Sequence, residues 1–108
     1  MSLLEASKRY VSDIYTSLGS KYPYHDIRHT TDVFESATEL GKMSDLSAQE
    51  LLALQIAALF HDTGYIQGPI DHENHSQEIA KKFLQEQNCD MQFIDKVNSY
   101  IAATEMGV

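Results

Sequence analysis

Three side chains carry the clearest chemical potential in this chain: His29 and the adjacent pair His61 and Asp62. The pair follows the most apolar run in the sequence, Leu51 to Phe60, so a helix that must be buried ends by delivering an imidazole and a carboxylate. A core helix rarely does so without a polar partner waiting. Consecutive helical residues project about 100° apart, close to the angle between neighbouring ligands of an octahedral ion. The doublet can therefore grip one divalent cation from two adjacent corners, and the carboxylate keeps a second oxygen. His29 adds a third corner if its helix packs beside the first. The competing explanation is structural: a buried histidine is often a hydrogen-bonded core residue, with Asp62 serving only to orient it.

The elements that must position these groups are all helical. Leu3, Leu4, Tyr10, Val11, Ile14, Tyr15 and Leu18 recur at three- and four-residue steps, a single stripe that Gly19 ends. After a loop containing Pro23, the period resumes with Ile27, Val33, Phe34, Ala37 and Leu40 and is expected to stop at Gly41, which puts His29 in the first turns of a second helix. Ser47 and Glu50 match a capping box, with Leu46 and Leu51 as its hydrophobic staple, and open a third. That helix is apolar nearly all round, so it is expected at the centre of the bundle, with Gly64 stopping it. Gly68 and Pro69 break the chain before Asp71 or Asn74 caps a fourth helix carrying Ile79, Ala80, Phe83 and Leu84. Asn88 ends it, and Asp90 caps a fifth with Ile94, Val97 and Ile101 inward. No segment alternates with a period of two. The fold class expected is all-α, one domain over residues 1–108 built as a bundle of about five helices.

Composition narrows the partners. At 108 residues with 43% hydrophobic and 22% charged residues, the chain has the balance of a globular domain. The formal net charge of -8, from 16 acidic against 8 basic residues, argues against duplex nucleic acid, which needs a basic face to displace counterions. Small anions stay within reach, because a bound divalent cation reverses the local sign of the field. No apolar run approaches the roughly 20 residues of a membrane crossing. One cysteine, Cys89, and no leader of the signal-peptide kind make a cytoplasmic setting the expectation.

Three strings then combine: Tyr24-His25-Asp26-Ile27-Arg28-His29-Thr30, Ala57-Ala58-Leu59-Phe60-His61-Asp62-Thr63-Gly64-Tyr65 and Asp71-His72-Glu73-Asn74-His75-Ser76. Together they resemble the HD superfamily of metal-dependent phosphohydrolases. The resemblance implies a compact helical bundle. It implies that His29 is the first metal-binding histidine and that His61 with Asp62 is the doublet that names the family. It also implies that His72 resembles the extra histidine some members use for a second ion; a solvent-exposed residue of a helix amino-terminal turn is the alternative. His25 and Arg28 flank the first ligand, where a cation could meet substrate phosphate or protonate a leaving oxygen. Both could equally be plain loop residues. Glu73 suits an orienting role near the ligands or an ordinary first-turn carboxylate, and His75 reads as a solvated helix residue.

The expected activity is hydrolysis of a small phosphorylated compound, a nucleotide being the leading class, by a phosphomonoesterase or phosphodiesterase in which Asp62 also orients or deprotonates water. The cofactor expected is a divalent metal ion: Mn, Fe, Co, Ni, Zn or Mg. Two departures from the family pattern matter. Thr104 stands where two-metal members often have another histidine, so one ion is expected. The family's closing aspartate lies on a later helix than any here, and Glu105 or Asp95 would replace it only by coincidence, so a chain lacking its last helices is expected. The other class of reading is a non-catalytic helical module that binds a nucleotide or dimerises, including a homodimer whose partner chain completes the site.

Overall fold

A computed structural model describes residues 2–18, 27–64 and 71–106, apart from the side chains of residues 18, 27 and 104–106. Five helices account for the regular structure among these residues: α1 (Leu3–Leu18), α2 (Ile27–Met43), α3 (Ala48–Phe60), α4 (His72–Glu86) and α5 (Met91–Met106). Their order and number agree with the expected all-α bundle, and no strand occurs among the described residues.

Helix α3 occupies the centre because its sequence leaves it no polar face. Ala53, Ile56, Ala57, Ala58, Leu59 and Phe60 are all buried, and α3 packs against each of the other four helices. Its start is defined by the capping box: Glu50 N–H donates to Ser47 Oγ at 3.1 Å, and Ser47 N–H donates to Glu50 Oε1 at 3.1 Å. Around it, Val11, Tyr15, Leu84, Phe93, Ile94, Val97 and Ile101 complete the core. Each fully buried aliphatic or aromatic side chain contributes about 1.5–3 kcal/mol relative to exposure.

Two boundaries differ from the sequence expectation: α3 ends at Phe60 with His61 as its C-cap, before Gly64 is reached, and α2 overruns Gly41. Helix α2 does not stop at Gly41; it runs on to Met43, and Gly41 is buried inside it. A Cβ there would come within 2.6 Å of Leu51 Cδ1 and 3.3 Å of Leu54 Cδ2. The glycine serves close approach of α2 to α3, and the chain reverses later, at Asp45 (φ 60°). α4 ends as expected, with Asn88 in the left-handed conformation (φ 63°) and Cys89 N–H returning to Leu84 O at 3.0 Å. Asp90 then caps α5 by accepting from Phe93 N–H at 2.8 Å. The resulting α4–α5 hairpin packs on α3, as α2 does, and His29 of α2 meets His61 where α2 approaches the end of α3.

Candidate metal centre

The end of α3 is fixed from both sides. Phe60, wholly buried, has its ring 5.5 Å from that of Phe83 and 6.1 Å from that of Tyr10, and Tyr10 and Phe83 lie 4.6 Å apart, so α1, α3 and α4 share one aromatic contact. His61 and Asp62 follow in the turn after it.

A helix end leaves several carbonyls without an intrahelical partner. Here side chains of the motif take three of them. His61 Nδ1 is 2.7 Å from Ala58 O, Thr63 Oγ1 donates to Phe60 O at 2.7 Å, and Ser76 Oγ donates to His61 O at 2.9 Å. Gly64 comes next, and its N–H donates to Ser76 Oγ at 2.8 Å. It abuts the first turn of α4 so closely that a Cβ would lie 2.7 Å from Ser76 N and closer still to the His72 carbonyl oxygen. Gly64 is therefore a packing requirement against the first turn of α4 rather than the helix stop expected, α3 having ended at Phe60.

His29 arrives from the first turn of α2. Its neighbour Thr30, fully buried, donates to the Tyr15 hydroxyl of α1 at 3.1 Å, which anchors that turn. The result is a cluster in which one ligand atom from each of His29, His61 and Asp62 lies within 4.8 Å of the others. His29 Nε2 is 3.4 Å and His61 Nε2 3.2 Å from Asp62 Oδ2, and the two rings are 5.5 Å apart, tilted by 54°. The Asp62 and His61 side chains are 8% and 9% exposed against 45% for His29, so the cluster opens to solvent on the α2 side.

Whether these residues suit a cation follows from the His61 ring. A carbonyl oxygen only accepts, so Nδ1 facing Ala58 O must carry the ring proton, and in the neutral imidazole Nε2 then presents its lone pair. That lone pair faces a buried carboxylate oxygen at 3.2 Å. Two acceptors at this separation attract only if a cation, or a second ring proton, stands between them. Two imidazole nitrogens and one carboxylate oxygen form a donor set that suits first-row divalent metals. The backbone bond to Nδ1 is the usual means of orienting a ligating histidine. The residues fit a metal ion.

The other sequence candidates fall around this group. Arg28 lies exposed one residue before His29, and His25 falls outside the described residues. His72, half-buried, opens α4 beside Gly64 and is not a member of the three-residue group. Glu73 is half-buried in the same turn, and Asp95 is exposed on α5. His75 differs from the solvated residue expected: it is half-buried, and its Nδ1 is shielded from solvent without a hydrogen-bond partner among the described residues. The side chains of Thr104 and Glu105 lie outside the described residues. Sequence reasoning passed over the supporting contacts made by Ser76, Gly64 and the Tyr15–Thr30 pair. Only Ser76 left a trace, a hydroxyl set on the apolar stripe it shares with Ala80, Phe83 and Leu84.

Comparison with known proteins agrees with this geometry. The family model for the HD domain matches residues 24–103, which contain all three members of the cluster. No match is found among curated proteins or among solved structures. No helix among the described residues is long and apolar enough to cross a membrane.

Proposed function

We propose, for a chain that belongs to the HD domain family of metal-dependent phosphohydrolases, that it hydrolyses a phosphomonoester or phosphodiester of a small molecule, nucleotides being the first class to test. The observation that carries this reading is the His61 ring, held by Ala58 O so that Nε2 and Asp62 Oδ2 face one point beside His29. When bound there, a divalent ion supplies Lewis acidity toward a phosphoryl oxygen and toward water.

The chain's own residues have separate tasks. His29 and His61 hold the site through neutral imidazole nitrogens. The Asp62 carboxylate orients the attacking water and takes its proton as oxygen bonds to phosphorus. The bond from phosphorus to the leaving oxygen breaks with its electron pair on that oxygen. Arg28, at the exposed rim, offsets phosphate charge. His25, three residues earlier, is the proposed donor of the proton that the leaving oxygen takes up. His72, in the first turn of α4, is a candidate ligand for a further cation or for the substrate phosphate.

The test is hydrolysis of p-nitrophenyl phosphate, bis-p-nitrophenyl phosphate and a nucleotide panel by metal-stripped protein before and after addition of Mn, Fe, Co, Ni, Zn or Mg. Turnover that appears only with metal and disappears in Asp62→Ala is the expected result. Full metal-dependent turnover by Asp62→Ala would overturn the assignment. Stoichiometric metal without turnover on any substrate would convert the reading to that of a binding module.

A further inference from the structure

A buried hydroxyl joins the segment that follows α3 to the first turns of α4. Ser76 has no exposed surface, and its oxygen uses one lone pair and its only proton there: it accepts from Gly64 N–H at 2.8 Å and donates to His61 O at 2.9 Å. The accepting carbonyl belongs to the peptide that links His61 to Asp62. Because a peptide unit is planar, a hydrogen bond to its oxygen fixes the rotation of the whole plane. That rotation sets the angle between the imidazole on one side and the carboxylate on the other. Gly64, two residues beyond Asp62, is gripped by the same oxygen, so the segment carrying the doublet is held at both ends. Packing alone does not call for a hydroxyl on this stripe, whose next members are Ala80, Phe83 and Leu84.

We propose that Ser76 is a positioning residue of the metal centre, its hydroxyl locking the peptide plane between His61 and Asp62 so that Nε2 and Oδ2 converge on one cation. The inference rests on the reading of the cluster as a metal site, and the test separates the two.

Cobalt(II) serves as the probe. Its dissociation constant and visible absorption spectrum are measured for the wild-type chain, Ser76→Ala, the size-matched Ser76→Cys and the control Ile94→Val, together with the thermal midpoint of each metal-free protein. Ser76→Ala is expected to bind cobalt roughly ten- to a hundredfold more weakly, with an altered spectrum, and Ser76→Cys to fall between. Ile94→Val trims a fully buried side chain of α5 and should lower the midpoint while keeping wild-type affinity and spectrum. If Ser76→Ala does not fold, Ser76→Cys carries the comparison against the control. Ser76 variants that lose thermal stability but keep wild-type affinity and spectrum overturn the positioning role and leave the metal site standing. Failure of the wild-type chain to bind cobalt stoichiometrically overturns the metal reading and this inference with it.

Discussion

Nε2 of His61 lies 3.2 Å from Oδ2 of Asp62, while Nδ1 of the same ring is 2.7 Å from the carbonyl oxygen of Ala58. The carbonyl places a ring proton on Nδ1, so in the neutral imidazole the carboxylate meets the nitrogen that accepts. With neither a cation nor a second ring proton between them, these two atoms face each other as acceptors, an arrangement less favourable than a donor–acceptor pair would be.

Asp62→Asn puts that conflict to measurement. An amide N–H can donate to Nε2 where a carboxylate cannot. The metal-free variant is expected to be more stable than the wild-type chain by about 1 kcal/mol in urea denaturation, and to bind metal at least roughly tenfold more weakly by calorimetric titration. A metal-free variant destabilised by about 2 kcal/mol or more would show that the cluster is an ordinary hydrogen-bonded core pair.

Two glycines should respond very differently to the same substitution. At Gly64 an added Cβ meets backbone atoms of His72 and Ser76, which cannot move without displacing α4. Gly64→Ala is expected to lose about 3 kcal/mol or more and to weaken metal binding. At Gly41 the nearest atom is the end of the Leu51 side chain, which can turn aside, and alanine is better than glycine in a helix by about 1 kcal/mol. Gly41→Ala should stay within about 1 kcal/mol of the wild-type chain in the same denaturation assay.

The start of α3 gives stability a dependence on pH. The Ser47 backbone N–H, and then its side chain, hold the Glu50 carboxyl below its usual value. A depressed folded-state pKa means that the carboxylate favours the fold above the ordinary glutamate range, and that this contribution is lost as pH falls through the lowered value. Thermal midpoints followed from neutral to acid pH should therefore drop less steeply in Glu50→Gln, whose amide oxygen still accepts from Ser47 N–H. Ser47→Ala should lose about 1 kcal/mol at neutral pH. An identical acid slope in Glu50→Gln would remove Glu50 from the account.

Burial, then the nearby Asp90 carboxylate, push the Cys89 thiol above its usual range. The thiol is therefore protonated at neutral pH, and thiolate is the reactive form. Alkylation by iodoacetamide at pH 7.5 should run several-fold slower than that of a short cysteine peptide, as a rough figure from the thiolate fraction alone, and should accelerate above pH 9. A rate equal to the peptide's would contradict the shielding.

Much of this molecule was legible in its sequence because the signals are local. Amphipathic periods define α1, α4 and α5, the Ser47–Glu50 box opens α3, and the apolar run up to Phe60 places that helix at the centre. The adjacency of His61 and Asp62 at the end of a buried helix, and their match to the HD pattern, are likewise properties of neighbouring residues. Gly41 was misread because a glycine that stops a helix and one that admits a neighbouring helix are the same letter; Leu51 and Leu54 of α3 decide between them. Tertiary structure alone determined that His29 comes within 3.4 Å of Asp62, that Tyr15 steadies the turn bearing His29, and that Ser76 donates to the carbonyl of the peptide between His61 and Asp62. Each of these contacts joins residues at least 15 positions apart. Their existence depends on how helices pack at their crossings, and helical periodicity fixes which face is buried but not what that face will meet.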